Sequence, residues 1–546
     1  MIQAAASLPI PLQRPPRATH FTDRERELAR LLADLQPGRV ATLCGPGGIG
    51  KTALAAEAVW ELAPENEPPK RFPDGILFHS FYGRPDTALA LEHIVTSFGA
   101  EPRPSPASAA LQVLAGKQAL IILDGAEEAD DLRTVLNVCG GCCALVTSRA
   151  RKDAVAERQD VEPLEADDAV DLLRKWGGDR TADDRAAGQI CKLTGYLPLA
   201  VRLAGRYLDE TGETASEYLT WLEETPLEAL SHGKRRQESV DVLLKKSLAQ
   251  VSEEACRVLG VVGLLALAPF DRAPIAAALD LSSRQLHKPL GELVSYGLLS
   301  HSEEWYEVSH ALVHTYARKR VEPEAEAVTR LAAYYDALAR EQQERGLPGY
   351  RRLDIERGHV MRVLRTCAEQ GRWEAVRSLV WAVEDYLDIC GYWTERVQAL
   401  ETGVEATQAL EHRRDEGAFL GNLGLAYSDL GQVEKAITYY EQALAIAREI
   451  GHRQGEGAHL GNLGVAYRDL GQVEKAITYY EQALAIAREI GHRQGEGADL
   501  GNLGVAYHDL GQVEKAREYL QQALAIFEEI KSPYGELARR QLAELG

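Results

Sequence analysis

Short apolar runs alternate with helix-like segments over the first third of the chain. The runs that predict strands are Val40–Cys44, Ile76–Phe81, Ala119–Leu123, Ala144–Ser148 and a short one near Val161. Strands that alternate with helices favour a parallel sheet covered by helices. Beyond about residue 165 the pattern becomes helical. The sequence therefore predicts an α/β domain followed by all-α segments.

The segment after the first strand predicts a phosphate-binding loop. Residues 45–52 read Gly-Pro-Gly-Gly-Ile-Gly-Lys-Thr, and a helix-like run follows. Glycines let the loop point its N–H groups at phosphate oxygens, and the helix N-terminus adds its dipole. Lys51 can reach the β- and γ-phosphates, and the Thr52 hydroxyl can hold Mg²⁺. We therefore expect a nucleoside triphosphate, cradled by the backbone of Gly45, Gly47, Gly48, Ile49 and Gly50.

Two charged residues stand at the ends of later strands. Asp124 follows the run 119–123, where a carboxylate faces the phosphate-binding loop and can hold Mg²⁺ through water. Arg149 follows the run 144–148 in the same way, and an Arg there can report whether a γ-phosphate is present. A helix cap is the structural alternative for Asp124, and a surface position is the alternative for Arg149.

Composition limits the partners and the compartment. A chain of 546 residues predicts about three or four domains. The net charge of −21 argues against wide nucleic-acid surfaces and against anionic membranes. No apolar run is long enough to span a membrane, and the proline-rich residues 1–20 predict a flexible lead-in rather than a signal peptide. The eight scattered cysteines lack a metal-ligand set, which favours reduced thiols in a cytoplasmic protein.

Several motifs resemble those of one class of ATPases. Residues 21–28 read Phe-Thr-Asp-Arg-Glu-Arg-Glu-Leu, similar to F-x-G-R-E-x-E-L, and residues 194–200 read Thr-Gly-Tyr-Leu-Pro-Leu-Ala, similar to G-L-P-L-A. Both motifs belong to NB-ARC-type STAND proteins, signal-transduction ATPases with numerous domains, and residues 72–75 resemble the bacterial members. The resemblance implies that ATP is the nucleotide. It also implies that Phe21, Thr22 and Arg24 line the adenine pocket and that Pro198 packs near the base.

The same resemblance organises the middle of the chain. Residues 166–235 resemble the helical lid of the class, and residues 236–322 resemble its winged-helix domain. The expected recognition helix, 283–296, carries only Arg284, His287 and Lys288 as basic groups, so we expect a structural use rather than DNA binding.

One motif within the winged helix implies a nucleotide contact. Residues 308–313 read Val-Ser-His-Ala-Leu-Val and are similar to the M-H-D-L-V motif. This implies that His310 contacts the β-phosphate of ADP and holds a closed state. The alternative for His310 is a polar residue on a helix face.

Two departures from the family pattern bear on turnover. Gly125 directly follows Asp124, where many relatives carry a second acidic residue that polarises water. Either Glu127 or Glu128 reaches that water instead, or hydrolysis is very slow, as suits a timer switch. Ala311 replaces the Asp after His310, so we expect part of the ADP lock to be missing.

From Glu416 the chain repeats itself every 40 residues. The units 416–455 and 456–495 differ at only three positions, and a third copy starts at Glu496. Leu423, Gly424 and Tyr427 stand where tetratricopeptide (TPR) repeats keep packing residues, which predicts an all-α solenoid.

The few differences between the repeats indicate a ligand face. At 100° per residue, positions 425 and 428 fall opposite the packing stripe, on the side that lines the groove of TPR arrays. The expected groove residues are Ser428, Arg468 and His508, together with Asn422, Asn462 and Asn502, which flank the stripe. In related arrays an Asn here clamps a peptide backbone or carboxylate. A solvated polar face is the alternative.

Together these features favour an ATP/ADP-controlled signalling switch. Its TPR array would sense a protein or peptide ligand, its NTPase module would self-associate on activation, and we expect any effector to be a separate chain. The alternatives are a constitutive TPR scaffold with a structural nucleotide and, less favoured, a DNA-binding regulator. The expected divisions are a lead-in (1–20), the P-loop NTPase domain (21–165), the lid (166–235), the winged helix (236–322), linker helices (323–390) and the TPR repeats (391–546).

Overall fold

The computed structural model describes residues 10–22, 24–82, 84–149, 157–224 and 235–545. Most of the expected lead-in, residues 1–9, lies outside this part, as does Asp23 of the N-terminal motif. The chain forms two compact units. The first comprises residues 1–102 and 106–366, and the second comprises residues 103–105 and 367–546.

A five-stranded parallel sheet forms the centre of the first unit. The strands lie in the order β2-β3-β4-β1-β5, and every pairing is parallel. Their bounds are β1 (Val40–Cys44), β2 (Ile76–Ser80), β3 (Leu120–Asp124), β4 (Cys143–Ser148) and β5 (Glu157–Asp160). The helices of this region are α1 (Glu25–Asp34), α2 (Lys51–Leu62), α3 (Thr87–Ser97), α4 (Pro106–Leu114) and α5 (Leu132–Val138). The prediction of a helix-covered parallel sheet is confirmed.

The apolar runs became strands because burial on both faces of a parallel sheet requires continuous apolar sequence. All five residues of β3 are buried, and so are all six of β4. The loop between β1 and α2 turns sharply at Gly48 (φ +77°) and Gly50 (φ +99°), which lie in the left-handed region that favours glycine. The sheet therefore brings this loop, the end of β3 and the end of β4 to one edge.

Helices follow the sheet in the first unit. The region expected to form the lid contains α6 (Ala166–Gly177), α7 (Asp184–Leu193), α8 (Pro198–Thr211) and α9 (Ala215–Glu224). Proline at the first position of α8 suits a helix start, because its fixed φ is helical and its missing N–H has no partner there. After residues 225–234, which are not described, α10 (Arg235–Leu248) begins.

Four helices and a two-stranded antiparallel sheet follow α10. Their bounds are α11 (Glu253–Val262), α12 (Arg272–Leu279), α13 (His287–Ser295), β6 (Leu299–Ser302), β7 (Trp305–Val308) and α14 (Ala311–Arg320). The expected recognition helix, 283–296, is shorter than predicted. It begins at His287 because Ser282 and Gln285 form a turn, in which the Ser282 N–H donates to Gln285 Oε1 over 2.9 Å.

Two long helices, α15 (Ala327–Glu344) and α16 (Leu347–Glu369), come next. His359 of α16 is buried and contacts the loop after α11. Its Nδ1 lies 3.1 Å from the backbone N of Ala266, and its Nε2 lies 2.9 Å from the carbonyl O of Pro269. These contacts attach α16 to the winged-helix region.

The second unit is a helical array that begins at residue 367, earlier than the expected boundary at 391. Its helices are α17 (Trp373–Ile389), α18 (Trp393–Ala409), α19 (Arg413–Asp429), α20 (Val433–Glu449), α21 (Arg453–Asp469), α22 (Val473–Glu489), α23 (Arg493–Asp509), α24 (Val513–Glu529) and α25 (Tyr534–Glu544). The pair α17 and α18 has the same lengths as the later pairs, which explains the earlier start.

Small residues allow the helices of each repeat to pack closely. A Cβ at Gly424 would lie 2.4 Å from the ring of Tyr440, and a Cβ at Gly464 would lie equally close to Tyr480. Glycine is therefore required at these positions. Stacked rings add a second recurring contact, with centroids 5.3 Å apart in the pairs Tyr427–Tyr439, Tyr467–Tyr479 and Tyr507–Tyr519.

Candidate nucleotide-binding site

Lys51 lies where the phosphate-binding loop ends, at the first position of α2. Its side chain is buried, and Nζ donates to the carbonyl oxygens of Gly45 (2.8 Å) and Pro46 (3.1 Å). Burial lowers the pKa of the Lys51 ammonium to about 8, against the opposing effect of Glu127. The loop thus holds a cation whose present partners are neutral carbonyls.

Thr52 and Asp124, the two expected Mg²⁺ residues, are in direct contact. The Thr52 hydroxyl donates to Asp124 Oδ1 over 2.7 Å, and the Thr147 hydroxyl donates to the same oxygen over 2.7 Å. Burial raises the pKa of Asp124, while these two hydrogen bonds and Lys51 oppose the rise. A buried carboxylate beside a hydroxyl at a strand end is a donor set that suits Mg²⁺.

Arg149 is held by Glu127 rather than standing free. Its Nε lies 2.9 Å from Glu127 Oε1, and its backbone N–H donates to Glu127 Oε2 over 2.9 Å. The Tyr82 hydroxyl donates to Oε1 over 3.0 Å, and the Arg149 guanidinium lies 5.2 Å from the Tyr82 ring centre. Both carboxylate oxygens of Glu127 are therefore engaged, whereas Glu128 is exposed.

Gly125 is required where it stands. Its φ is +73°, and a Cβ there would lie 2.8 Å from the ring of Tyr82. The acidic residue that many relatives carry at this position would collide with Tyr82 in this arrangement. The departure from the family pattern thus accompanies the contact between Tyr82 and Glu127.

The N-terminal motif supports the loop from one side. The Arg24 guanidinium is buried, and Nη2 donates to the carbonyl oxygens of Ile49 (2.9 Å) and Glu162 (3.0 Å). Thr22 is also buried, and Phe21 is half-buried. Arg24 therefore fixes the loop backbone, while the assignment of Phe21 and Thr22 to an adenine pocket stays a prediction.

Helices α8 and α14 both reach the loop. The Leu199 N–H donates to the carbonyl O of Gly48 over 3.3 Å, and a Cβ at Gly50 would lie 3.8 Å from Pro198 Cγ. A Cβ at Gly47 would lie 3.2 Å from Leu312 Cδ1 of α14. The loop is therefore contacted by residues that the sequence places in two other domains, the expected lid and the expected winged helix.

His310 caps the helix that carries Leu312. Its Nδ1 accepts the backbone N–H of Leu312 over 3.0 Å. Burial first, and then the charges of Arg202, Arg149 and Lys51, lower its pKa to about 3. The imidazole is thus neutral, and because Nδ1 accepts, Nε2 carries the proton as a donor.

The predicted groove residues lie on the array. Asn422, Asn462 and Asn502 are half-buried, and none of their side-chain amides forms a hydrogen bond with another described residue. At the variable position, Ser428 and Arg468 are half-buried and His508 is exposed. Leu425 is 39% exposed, as expected for a residue opposite the buried stripe. The three helices α19, α21 and α23 thus present equivalent uncommitted amides.

Sequence reasoning missed the residues that close the site. Leu199 and Leu312 lie within motifs that the sequence singled out, but no role was assigned to either. Tyr82, Thr147 and Arg202 belong to no such motif. Thr147 has one readable signal, because a polar residue that interrupts the apolar strand β4 needs a polar partner.

Family comparisons match two parts of the chain. Residues 39–180 match the NACHT domain, and residues 415–489 and 455–529 match the tetratricopeptide repeat. The two matches cover the phosphate-binding loop with its sheet and the repeated part of the array. The chain therefore contains a NACHT domain, which is an NTPase domain, and C-terminal TPR repeats, and the predicted combination of a P-loop NTPase domain with TPR repeats is confirmed.

Two curated relatives and one solved structure are similar to this chain. Regulatory protein AfsR of Streptomyces coelicolor is 30% identical over 370 residues, which are 60% of this chain and 36% of the relative. Its Streptomyces griseus counterpart is 29% identical over 63% of this chain and 37% of the relative. The chain thus spans little more than a third of the length of these relatives.

The solved structure is that of a STAND protein with a TPR sensor from Pyrococcus horikoshii. It is 18% identical over 98% of this chain and 94% of its own, with a TM-score of 0.39. In the part of the chain that the structure describes, no helix is both long and apolar enough to cross a membrane.

Proposed function

We propose that this protein is an ATP/ADP-controlled signalling switch whose TPR array senses a protein or peptide ligand. The observation that carries the proposal is the enclosure of the phosphate-binding loop by Leu199 of the lid and Leu312 of the winged-helix region. A nucleotide in this loop contacts both closing elements, so the state of its phosphates can bias whether they stay closed.

The nucleotide is held by groups with separate tasks. Lys51 would neutralise the phosphate chain, and Thr52 and Asp124 would hold Mg²⁺, which would supply charge stabilisation to the phosphates. Neutral His310 donates its Nε2–H toward the β-phosphate of ADP. Because that contact comes from the winged-helix region, it stabilises the closed arrangement.

The arrangement of Glu127 supports slow hydrolysis. A general base needs a free carboxylate oxygen within reach of water, yet both oxygens of Glu127 are bonded to Tyr82 and Arg149. The same contacts keep Arg149 from a γ-phosphate. Opening must release the pair before either residue can act, so the closed form is a poor ATPase.

Activation begins at the array. A ligand on the amides of α19, α21 and α23 binds the open state better than the closed one, and ATP then replaces ADP. The opened NTPase module self-associates and presents its surface to an effector. The ligand is a protein or peptide, because repeated amides at equal spacing suit an extended backbone.

His310 provides the test of the switch. In the full chain, His310→Ala removes the donor specific to the closed state, so release of a fluorescent ADP should accelerate on the order of tenfold. Light scattering with a non-hydrolysable ATP analogue should then show a larger oligomeric fraction. His287→Ala, an exposed histidine at the start of α13, is the matched control.

Lys51→Ala separates nucleotide binding from switching, because it should abolish tight binding of ADP and ATP alike. Wild-type release rates and masses in His310→Ala would contradict the switch. They would instead favour a constitutive TPR scaffold with a structural nucleotide. The observation that favours this second function is Ala311, which supplies no carboxylate beside His310.

A further inference from the structure

Arg202 is a half-buried residue whose Nε is buried, and the proposed phosphate contacts do not yet use its charge. It lies on α8, one turn after Pro198, and residues four apart share a helix face. Pro198 faces the phosphate-binding loop, so Arg202 points to the same side. Its Nη2 lies 3.4 Å from the carbonyl O of Gly297 and 3.5 Å from that of Ser309, the residue before His310.

The charge of Arg202 has no counter-charge among the residues that the structure describes. Its Nε is buried without a hydrogen-bond partner, and the neighbouring Ser309 hydroxyl is equally unsatisfied. No carboxylate of the described residues forms an ion pair with Arg202. A guanidinium with a buried, unsatisfied Nε and two long contacts to carbonyls is costly, because a charge removed from water needs a counter-charge and satisfied donors.

Other cations converge on the same place. The positive charges of Arg202, Arg149 and Lys51 all lower the pKa of His310, and the effect of Arg202 is the largest of the three. Glu127 forms an ion pair with Arg149, and the Lys51 ammonium donates to carbonyl oxygens of the loop. Arg202 is thus the cation of this group that still needs an anionic partner. Burial and the adjacent Arg206 also lower the pKa of Arg202 to about 10.

We propose that Arg202 binds the terminal phosphate of a nucleoside diphosphate and that the Ser309 hydroxyl shares this contact. The inference rests on the proposed nucleotide function and adds a specificity-determining residue to it. A planar guanidinium donates two parallel hydrogen bonds to phosphate oxygens. Because Arg202 sits on the lid and touches the segment leading to His310, the phosphate joins the lid to the winged-helix region.

The test compares ADP with AMP in the full chain. Arg202→Met keeps the length of the side chain without its charge, and it should weaken ADP binding at least tenfold while changing AMP binding less than threefold. Arg202→Lys should recover part of the loss. Arg206→Met is the matched control, because Arg206 also has an unpartnered Nε but packs on the Trp176 ring at 4.7 Å.

A second readout separates a phosphate ligand from a structural arginine. Without nucleotide, Arg202→Met should unfold at the same temperature as wild type or higher, because an uncompensated charge is gone. A lower unfolding temperature would overturn the inference, and so would ADP affinity within threefold of wild type or equal losses for ADP and AMP. If wild type itself fails to bind ADP, the proposed function fails with it. If wild type binds ADP and Lys51→Ala does not, an unchanged ADP affinity in Arg202→Met refutes the role of Arg202 and leaves the proposed function standing.

Discussion

At one position of the TPR repeat, a single residue changes the stability of an interface that recurs along the array. Phe419, His459 and Asp499 occupy the same place in α19, α21 and α23, and all three pack toward the preceding helices. Phe419 is fully buried, with its ring 4.6 Å from that of Trp381. Asp499 is only 8% exposed, and burial alone raises its pKa to about 7.

This burial makes stability depend on pH. The folded pKa of Asp499 lies above the unfolded value of about 3.9, so the fold favours the protonated carboxyl. The stabilising contribution is complete below about pH 4 and is lost as the pH rises through about 7. At pH 8 the protein carries the full cost of a buried, unpaired carboxylate.

Asp499→Asn should therefore stabilise the array at pH 8. The gain in free energy of unfolding should be a few kcal/mol, with about 4 kcal/mol as its upper limit, and it should shrink at pH 5. Urea unfolding of the full chain, followed by circular dichroism at both pH values, measures the difference. Asp509→Asn, at an exposed position of the same helix, is the control. An equal gain at both pH values would show that titration of Asp499 is not the cause.

At the scale of helices, α19, α21 and α23 repeat one surface three times. Each carries an uncommitted asparagine amide, and the neighbouring position varies through Ser428, Arg468 and His508. Arg468 is 25% exposed and lies 3.6 Å from Asp469, so it is available for a charge-assisted contact. The invariant amides suit a peptide backbone, while the variable position suits its side chains.

Replacing Asn422, Asn462 and Asn502 with alanine should weaken ligand capture without changing helical content or ADP affinity. Each lost hydrogen bond to the ligand is worth about 0.5–1.5 kcal/mol, so the triple variant should lose at least tenfold in affinity. Binding of a partner isolated with the wild-type chain measures the effect. The matched control replaces three glutamines of the second helices, Gln442, Gln482 and Gln522. Wild-type affinity in the asparagine variant would place recognition elsewhere.

The elements that sequence could predict are those with local signals. The loop with Lys51 and Thr52 is contiguous, and Asp124 could be placed because parallel strands end at one edge of a sheet. The start of α13 could not, since the turn between Ser282 and Gln285 competes with helix over only a few residues.

The closing contacts had no such signal. Tyr82, Glu127 and Arg149 come together only through tertiary packing. Tyr82 and Arg149 are 67 residues apart, so no local sequence pattern could predict their contact. Arg202 is one helical turn from Pro198, so the family motif predicts the helix that carries it. The motif does not predict that the Arg202 charge lacks a partner. That property depends on which carboxylates are absent from its surroundings, and only the fold determines this.

At the scale of the whole molecule, successive repeats are joined by the same ion pairs. Arg413 contacts Glu416 and Glu449, and the matching sets are Arg453 with Glu456 and Glu489, and Arg493 with Glu496 and Glu529. Arg448 and Arg488 each add a contact of 2.9 Å to the next unit. One junction is therefore chemically equivalent to the next.

Deleting residues 456–495 should give a folded chain with two copies of the 40-residue unit instead of three. Arg453 would then meet Glu496 and Glu529, while Gly421 would face Asp499 in place of His459. Circular dichroism should show helical content reduced by one unit, and ADP affinity should stay at the wild-type value. A deletion shifted by half a unit, 436–475, keeps the length and the repeat phase, and it should behave alike. Aggregation of both would show that the junctions are not equivalent.

Equivalent junctions also have a consequence for heredity. Because the units 416–455 and 456–495 differ at only three residues, misaligned recombination between the segments that encode them can remove or add a whole unit, and the resulting protein meets no new interface. The number of units is then an adjustable trait, and a longer or shorter ligand can be matched in one genetic event rather than through many substitutions.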